Sequence, residues 1–422
     1  MRLRSVVITV IVVALAALVY VNLAPPRRKL TDPITSRYAV ADSQFVRTMG
    51  SLLGPGLLPG NQVTPLRNGA EIFPAMLAAI RSARETITFE TYIYWSGEIG
   101  KAFTDALSER ARAGVRVHVL LDWVGAGKMD DTLLTEMEQA GVEVEKYHPL
   151  RWYTLDRLNH RTHRKLLVVD GRVGFTGGVG IADVWQGDAE DPEHWRDTHF
   201  KVEGPVVAQL QAAFLDNWLE SHATLLHDRG YFPPLAPTGT MPGQLFKSSP
   251  EEGSGSARLM YLLSIAAARR TLRIASAYFV PDDLSVQELV AARRRGVAVE
   301  IIVPGPYTDA DVVRHASRGR WGDLLAAGVR IWEYQPTMYH TKMMIVDDAW
   351  VSVGSTNFDN RSFRLNDEAN LNVMDSALAA GLVRDFEGDK GRSREVTREA
   401  WERRPFLTKA REWAAGLLRS QL

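Results

Sequence analysis

The sequence predicts an α/β protein made of two similar lobes, each a mixed β-sheet flanked by helices, related by pseudo-twofold symmetry, together with an amino-terminal transmembrane helix. Three observations support this prediction: a duplicated motif, repeated blocks of alternating strand and helix, and a long uncharged apolar run. At 422 residues the chain is too long for one ordinary domain, and its 45% hydrophobic content is ample for two buried cores.

The duplicated motif has the pattern H-x-K-x4-D and occupies residues 163–170 and 340–347. Alternate side chains of an extended strand point the same way, so the histidine and lysine of each copy share a face. A neutral imidazole is a competent nucleophile toward phosphorus, and a neighbouring lysine can hold the phosphate's charge. The pattern therefore indicates one composite site for phosphodiester chemistry. Its candidate catalytic residues are His163, Lys165, Asp170, His340, Lys342 and Asp347.

The charge and residue content exclude some chemistries. Lys plus Arg equals Asp plus Glu at 50 each, which disfavours a nucleic-acid partner without excluding a nuclease. Cysteine is absent, which removes disulfides, thiolate nucleophiles and cysteine-ligated zinc. His160 precedes His163 by three residues, but the adjacent Arg161, Arg164 and Lys165 would repel a cation. We predict no metal and no cofactor, since two lysines supply the charge that a cation supplies elsewhere.

The amino terminus is predicted to anchor the protein in the cell membrane. Residues 5–23 form a run of 19 uncharged, mostly apolar residues, which would span roughly 28 Å as a helix. A cleaved signal peptide is the alternative, but the run exceeds a usual apolar core of such peptides. Basic residues flank the run almost equally on both sides, so their distribution does not predict on which side of the membrane the catalytic part lies. Residues 24–60, rich in Pro, Gly and polar residues around a short amphipathic stretch, are expected to be a tether.

The first lobe is expected to span residues 61–240. Its order of elements is β-α-β-α-β-β after a first helix, which is typical of a mixed sheet covered by helices. The predicted helices occupy residues 70–83, 100–113 and 131–140. The predicted strands occupy residues 86–94, 115–122, 142–148, 165–170 and 173–176.

The second lobe, residues 250–375, repeats the first. Residues 113–117 match 295–299, and residues 140–144 match 327–331, each ahead of a motif copy. The period is about 180 residues, far too long for a solenoid repeat. Pairing of the lobes about a pseudo-twofold axis would bring both motif strands to one interface. Residues 376–422 are expected to be a helical tail packed on the second lobe, with a helix lying on lipid as the alternative.

A carboxylate that could orient a motif histidine lies downstream of each motif copy. Glu368 follows the second copy, and Asp197 follows the first at a longer offset from its histidine. Each would accept a hydrogen bond from the far ring nitrogen of a motif histidine and so fix its tautomer. A solvent-exposed loop charge is the alternative. Glu90 and Asp122, near strand ends, could line the site or serve as structural carboxylates.

These residues resemble the phospholipase D superfamily, and more narrowly the bacterial cardiolipin synthases. The narrower likeness covers about residues 60–375 and is strongest at 90–93, 113–122 and 354–370. It implies two phospholipase D-like lobes and a phosphatidyltransferase that joins two phosphatidylglycerols into cardiolipin and glycerol through a phosphatidyl-histidine. It also implies that His163 is the nucleophile and His340 the acid and base. Hydrolysis to phosphatidic acid, a membrane-tethered phosphodiesterase or nuclease, and a non-catalytic lipid-binding protein are the alternatives.

The resemblance further implies a phosphate-binding and orienting set that adds Asn357 and Ser355 to the lysines and the two carboxylates. The first lobe departs from the family pattern, because Gly180 stands where the second lobe has Asn357. The two half-sites are therefore expected to be unequal. The expected partners are phospholipids, phosphatidylglycerol in particular, and a membrane. Neither nucleic acid nor an obligate protein partner is expected.

Overall fold

The predicted alternation of strands and helices is present in both halves of the chain. The computed structural model describes residues 2–23, 30, 32–35, 37–150, 157, 159–250 and 256–422. The strands are β1 (Leu58–Arg67), β2 (Thr86–Thr91), β3 (Arg116–Asp122), β4 (Glu143–Tyr147), β5 (Arg161–Thr162), β6 (Leu166–Val169), β7 (Val173–Gly177), β8 (Thr198–Glu203), β9 (Met241–Ser248), β10 (Thr271–Ala275), β11 (Phe279–Val280), β12 (Ala298–Pro304), β13 (Arg330–Tyr334), β14 (Met343–Val346), β15 (Trp350–Gly354), β16 (Phe358–Asp359), β17 (Asn366–Met374) and β18 (Ser393–Glu395).

The helices cover both faces of the sheet that these strands form. They are α1 (Arg2–Leu23), α2 (Ser43–Leu53), α3 (Asn68–Ser82), α4 (Glu98–Arg112), α5 (Asp131–Gln139), α6 (Val207–His222), α7 (Ser256–Ala267), α8 (Asp283–Arg294), α9 (Asp311–Arg318), α10 (Trp321–Ala326), α11 (Asn360–Arg364), α12 (Ser376–Gly391), α13 (Arg398–Glu402) and α14 (Phe406–Gly416).

One mixed sheet runs through both halves. Its strand order is β18-β13-β12-β10-β14-β15-β17-β9-β1-β8-β7-β6-β2-β3-β4. Reading outward from the central β9-β1 contact, the sequence of strands in one half repeats that in the other. β1 and β9 run antiparallel, with Asn61 opposite Met241. This arrangement matches the expected pseudo-twofold relation and joins the halves by backbone pairing.

The sheet is buried on both faces away from its edges, which explains the largely apolar inner strands such as β6 and β14. On one face of the first half, Ile72 and Phe103 of α3 and α4 pack on Ile87 of β2. On the opposite face, α6 and α12 share a core that extends across both halves and includes Trp218 and Phe386. This shared core fixes the halves against each other from one side of the sheet.

The segment expected to be a tether is structured over much of its length. The amphipathic stretch predicted within residues 24–60 is α2, and it packs on the second half rather than linking freely. Phe45 and Met49 are wholly buried, and the ring of Phe45 lies 4.9 Å from that of Trp350. β1 also begins at Leu58, inside the expected tether. The tether prediction is wrong for these residues, because the apolar face of α2 has a core to join.

The terminal elements differ in their packing. The apolar run at the amino terminus is helical, as predicted, and its described side chains are exposed, with Ile8 at 61%. Among helices in the described residues, none is both long and apolar enough to cross a bilayer. The carboxy-terminal tail contacts the rest of the protein through the buried Phe386 of α12 and through β18, which pairs with β13, whereas Phe406 and Trp413 of α14 are exposed.

Candidate active site

Backbone bonds between the halves hold the two motif histidines. The amide of His163 donates to the carbonyl of Asp367 at 2.8 Å, and the amide of His340 donates to that of Arg196 at 2.7 Å. β5, just before the first motif, pairs in parallel with β17 of the other half. His163 and His340 each precede a motif strand, β6 or β14, and each is therefore held against the opposite half.

The orienting carboxylates are exchanged between the halves. Nδ1 of His163 lies 3.1 and 3.0 Å from the two carboxylate oxygens of Glu368, which comes from the second half. Nδ1 of His340 lies 2.6 Å from Oδ2 of Asp197, which comes from the first half. Both carboxylates contact a motif histidine, as predicted, but not the histidine of their own copy, from which the sequence offsets were counted. The sequence had left the partner of each carboxylate open.

Burial and the neighbouring charges set the protonation of these pairs. Burial lowers the pKa of His163 to about 4, although Glu368 opposes the shift. Burial and the charge of Lys342 lower the pKa of His340. Burial would raise the pKa of Asp197 and Glu368, but the imidazoles and lysines beside them lower both below their ordinary values. At neutral pH the nucleophile candidate His163 is therefore a neutral imidazole that donates from Nδ1 and leaves Nε2 with a free lone pair.

The two motif lysines are buried, and neither has a carboxylate within ion-pair distance in the described part of the chain. Nζ of Lys165 donates to the carbonyl of His163 at 2.8 Å, and Nζ of Lys342 donates to that of His340 at 2.7 Å. Burial lowers the pKa of Lys165 to about 7 and that of Lys342 to about 8, against the attraction of nearby carboxylates. The charge of Lys342 also lowers the pKa of Lys165, because the two ammonium groups repel each other. A bound phosphate would relieve this repulsion.

The two carboxylates are held differently. Ser355 donates its hydroxyl to Glu368, whereas the matching position in the first half is Gly178. A side chain at Gly178 would collide with the carboxylate of Asp197. Asp197 instead accepts from Nε1 of Trp185 at 3.2 Å and from the amide of Thr198 at 2.8 Å.

The predicted inequality of the half-sites has a packing cause. Asn357 is buried, and its Oδ1 accepts from the amide of Tyr278 at 3.4 Å. At the matching Gly180, an added Cβ would lie 2.8 Å from Cβ of Ile93 and close to the ring of Trp185. The first half therefore has no room for a second amide, because Ile93 and Trp185 fill the space.

The motif aspartates support the backbone. The carboxylate of Asp170 accepts from the amides of residues 84–86, and that of Asp347 accepts from the amides of residues 269–271. Both residues have a φ of 52°, which places them in the left-handed region that Asp tolerates. These contacts match the expectation that the aspartates hold the motif turns rather than move protons.

Removing one of these carboxylates should destabilise the fold. For Asp347→Ala we expect a loss of about 3 kcal/mol in the free energy of unfolding, because three charge-assisted hydrogen bonds to backbone amides disappear. Urea unfolding followed by circular dichroism measures the loss. Asp348→Ala is the matched control, since Asp348 has a φ of 55° but mainly pairs with the partly exposed Arg273. Equal losses in the two variants would contradict the proposed role.

Several groups at the site lacked a sequence pattern that identifies them. The ring of Tyr92 lies 5.4 Å from that of His163, and the rings of Trp185 and Trp195 lie 5.3 and 5.5 Å from that of His340. Tyr92 stands two residues after Glu90, and Trp195 stands two before Asp197. Closeness in sequence to a predicted site residue could therefore have identified these two rings. These rings shield the imidazoles from water.

A third histidine, His199, is also buried near the site. Burial lowers its pKa to about 4, with Asp197 and Lys165 as its charged neighbours. Glu90 and Asp122 are structural. Glu90 accepts from Asn217 at 2.7 Å and from the hydroxyl of Thr162, and Asp122 accepts from the amide of Thr162 at 3.1 Å. Both carboxylates thus brace the residue that precedes His163.

The comparisons with known proteins agree with this geometry. The family model described as "Cardiolipin synthase, PLD-like domain" matches residues 76–190 and 261–390. A cardiolipin synthase of Geobacillus kaustophilus is 36% identical over 361 residues, which cover 85% of this chain and 72% of that protein. The major cardiolipin synthase of Bacillus subtilis is 34% identical, with coverage of 85% and 75%.

A solved structure also shares the fold. The phosphatidylserine synthase of Haemophilus influenzae superposes with a TM-score of 0.68 at 16% identity, covering 90% of this chain and 100% of that chain. A duplicated α/β fold that brings two H-x-K-x4-D half-sites together is that of a phospholipase D-superfamily enzyme. The matched family model and the identities to curated relatives narrow the assignment. The chain belongs to the cardiolipin synthase family of proteins with phospholipase D-like domains.

Proposed function

We propose that the protein is a phosphatidyltransferase that converts two phosphatidylglycerols into cardiolipin and glycerol. The observation that carries this proposal is the pair of buried histidines, each oriented by a carboxylate of the opposite half, beside two buried lysines. The catalytic residues in this proposal are those of the two motifs. The relatives named as cardiolipin synthases support phosphatidylglycerol as the lipid.

In the first step, Nε2 of His163 attacks the phosphorus of one phosphatidylglycerol. The N–P bond forms as the P–O bond to the headgroup glycerol breaks, and the protonated His340 gives its proton to the departing oxygen. In the second step, a headgroup hydroxyl of another phosphatidylglycerol loses its proton to His340. Its oxygen attacks the same phosphorus, the N–P bond breaks, and cardiolipin is released.

The other residues of the site bind the phosphate charge or position the two histidines. Lys165, Lys342 and Asn357 bind the non-bridging phosphate oxygens, whose negative charge also favours the protonated form of His340. Glu368 and Asp197 hold the imidazoles in the required tautomers, and Ser355 positions Glu368. Transfer competes with hydrolysis at the second step, and the aromatic rings around both histidines favour transfer because they limit access by water.

Product analysis tests this function. The purified full chain, incubated with phosphatidylglycerol vesicles in water enriched in ¹⁸O, should form cardiolipin and glycerol in equal amounts, without label in the cardiolipin. Labelled phosphatidic acid as the main product would establish hydrolysis instead. Cleavage of single-stranded DNA in a parallel reaction would favour the nuclease. Absence of any lipid or nucleic-acid product, with the fold intact, would favour a non-catalytic protein.

The pH dependence should follow His340 and the two lysines. We expect kcat/KM to fall as pH rises, first as free His340 loses its proton, since burial lowers its pKa, and further through about 7 to about 8 as free Lys165 and Lys342 lose their positive charge. His163 is already neutral over the second part of this fall. Initial rates from about pH 5 to about pH 9 measure the profile. A Lys342→Arg variant, which stays charged, should lose the part of the fall at about pH 8 and keep the part at about pH 7 that belongs to Lys165. A flat alkaline profile in the unaltered protein would contradict this assignment.

We further propose that the protein is held at the cell membrane by its amino-terminal helix as a single-pass anchor. The uncharged apolar run at residues 5–23 and the exposure of its described side chains support this proposal. Retention of the full chain in membranes after alkaline carbonate washing is the expected result, and its release into the wash would contradict the anchor.

A further inference from the structure

The carboxy-terminal helix α14 has an outward face that is apolar. Glu412 and Ala415 face the protein and are buried. Single exposed apolar residues are normal on protein surfaces, but a contiguous set marks an interaction surface. The large exposed side chains of the helix and the turn after it have exposed fractions between 51% and 81%: Phe406, Leu407, Trp413, Leu417 and Leu418.

The opposite face of α14 packs on the protein through Glu412. The apolar face is therefore directed outward even though the helix is attached to the rest of the protein. Glu412 accepts from Nε of Arg318 in α9 at 3.2 Å and from Nε of Arg404 at 2.8 Å. Nε1 of Trp401 donates to the carbonyl of Arg318 at 2.8 Å. The helix therefore has one orientation, with the apolar residues directed outward.

Basic side chains outnumber acidic ones around the apolar face. Residues 406–422 include Lys409, Arg411 and Arg419, and their one acidic residue is the buried Glu412. An open groove of about 780 Å³ beside the helix is lined by Trp413 together with Arg320, Lys409 and Arg419 among others. Apolar and aromatic side chains bordered by Lys and Arg are typical of a helix that lies on an anionic lipid surface.

The end of this helix touches the surroundings of the active site in the second half. The carbonyl of Arg419 accepts from Nδ2 of Asn360 at 2.9 Å, and the carbonyl of Gln421 accepts from Nη1 of Arg361 at 3.1 Å. Asn360 begins α11 and is the third residue after Asn357. The residues that follow α14 thus contact the chain segment that carries Asn357.

The same end also touches the first half. Oε1 of Gln421 accepts from Nδ2 of Asn159 at 2.7 Å, and Asn159 is the fourth residue before His163. The carboxy-terminal segment therefore contacts residues that border both half-sites.

The attachment of the amino-terminal segment lies beside α14. The carbonyl of Leu30 accepts from Nη1 of Arg258 at 3.1 Å, and Nε of Arg258 lies 2.6 Å from the carboxylate of Asp282. The next residue, Asp283, lies 3.8 Å from Nη1 of Arg419. Leu30 and Arg419 are thus held beside two adjacent residues, Asp282 and Asp283, on one side of the molecule.

We propose that the outward face of α14 is a membrane-docking surface that lies on the anionic phospholipid bilayer reached by α1 and holds the active site against it. This proposal deepens the proposed function and rests on it for the nature of the substrate. Two contacts, α1 and α14, restrict how the protein can rotate on the bilayer, whereas one flexible attachment would not. Headgroups can then approach the histidines without leaving the bilayer plane.

Fluorescent labels test the docking directly, because the chain has no native cysteine. Single variants Trp413→Cys and Leu417→Cys carry an environment-sensitive dye in the full chain, and Glu138→Cys on the exposed face of α5 is the matched control. On phosphatidylglycerol and phosphatidylethanolamine vesicles, iodide quenching at 413 and 417 should fall by about threefold or more, with no change at 138. Protection should be weaker on phosphatidylcholine vesicles and at high salt.

Two results would overturn the docking surface. The first is equal quenching at all three positions on anionic vesicles. The second is protection that grows with the protein-to-lipid ratio and is accompanied by energy transfer between labels, which would assign the face to a second copy of the chain. Neither readout needs turnover, so a protein that makes no cardiolipin but shows protected labels would contradict the proposed function and leave the docking surface supported.

A kinetic comparison gives an independent readout. The double variant Trp413→Glu with Leu417→Glu should raise the apparent KM for phosphatidylglycerol in vesicles by about tenfold, because charged side chains are expelled from the interface. The matched double variant Thr132→Glu with Gln139→Glu, on α5, should leave the apparent KM unchanged. Unchanged circular dichroism and melting temperature show that both proteins are folded. An unchanged KM in the α14 variant would count against docking.

Discussion

Replacing His163 with alanine should lower cardiolipin formation by about 10⁴-fold or more, because the nucleophile that forms the N–P bond is lost. The rate is measured as labelled glycerol released from phosphatidylglycerol vesicles. His227→Ala is the matched control, since His227 is an exposed histidine away from the motifs. Residual activity within about tenfold of the unaltered protein would remove His163 from the mechanism.

His340→Ala should have an equally large effect on cardiolipin formation but a different signature. A phosphatidyl ester of 4-nitrophenol has a leaving group that needs no proton from an acid. With this donor, His340→Ala should release a burst of about one nitrophenol per active site and then stall as a phosphatidyl-histidine, because the acceptor lacks a base. His163→Ala should give no burst. The reverse pattern would assign the nucleophile to His340.

The exchanged carboxylates give the second large prediction. Glu368→Gln should slow the nitrophenol burst by about 10³-fold, because an amide no longer holds Nδ1–H of His163 and the wrong tautomer is favoured. Asp197→Asn should leave the burst nearly intact and slow later turnover by a similar factor, because it acts on His340. Stopped-flow absorbance separates the two phases.

Each of the variants Glu368→Gln and Asp197→Asn is a control for the other, because each carboxylate contacts the histidine of the opposite half. If each carboxylate served the histidine of its own motif copy, the effects of the two variants on the burst would be reversed. Circular dichroism must show both proteins folded, since each carboxylate is buried. Equal slowing of both phases in both variants would indicate a general disturbance of the site and contradict the separate roles.

The outer strands of each half could be predicted from sequence, but the central ones could not. The strand predicted at residues 115–122 is β3, and the helix predicted at 100–113 is α4, because apolar periodicity is strong where the sheet is buried on both faces. β1 and β9 contain Pro and Gly, which predict turns. β17 carries Asn370 and Asn372, both wholly buried, so its pattern resembles that of a loop. In the sheet, Nδ2 of Asn370 donates to Oγ of Ser352 at 3.1 Å, and Nδ2 of Asn372 donates to Oε1 of Gln244 at 3.2 Å, so tertiary contacts rather than local pattern hold these amides.

The chemistry of the site could be predicted because a doubled histidine and lysine pattern has few other uses. The histidine that each of Glu368 and Asp197 contacts could not be predicted, since the distance along the sequence does not tell which half a side chain faces. The positions of Tyr92 and His199 depend on the twist and pairing of β2 and β8, which no local pattern contains. The packing of α2 likewise depends on a core formed more than two hundred residues later.

Backbone pairing across β1 and β9, with carboxylates exchanged between halves, bears on how the protein matures. A chain emerging from the ribosome presents His163 long before Glu368 has been made, and the nascent enzyme therefore cannot cut the lipids around it. The active site is complete only after the second half, which carries Glu368 and the second motif, has folded against the first. Proteolytic fragments carrying one motif would for the same reason be inert on a membrane.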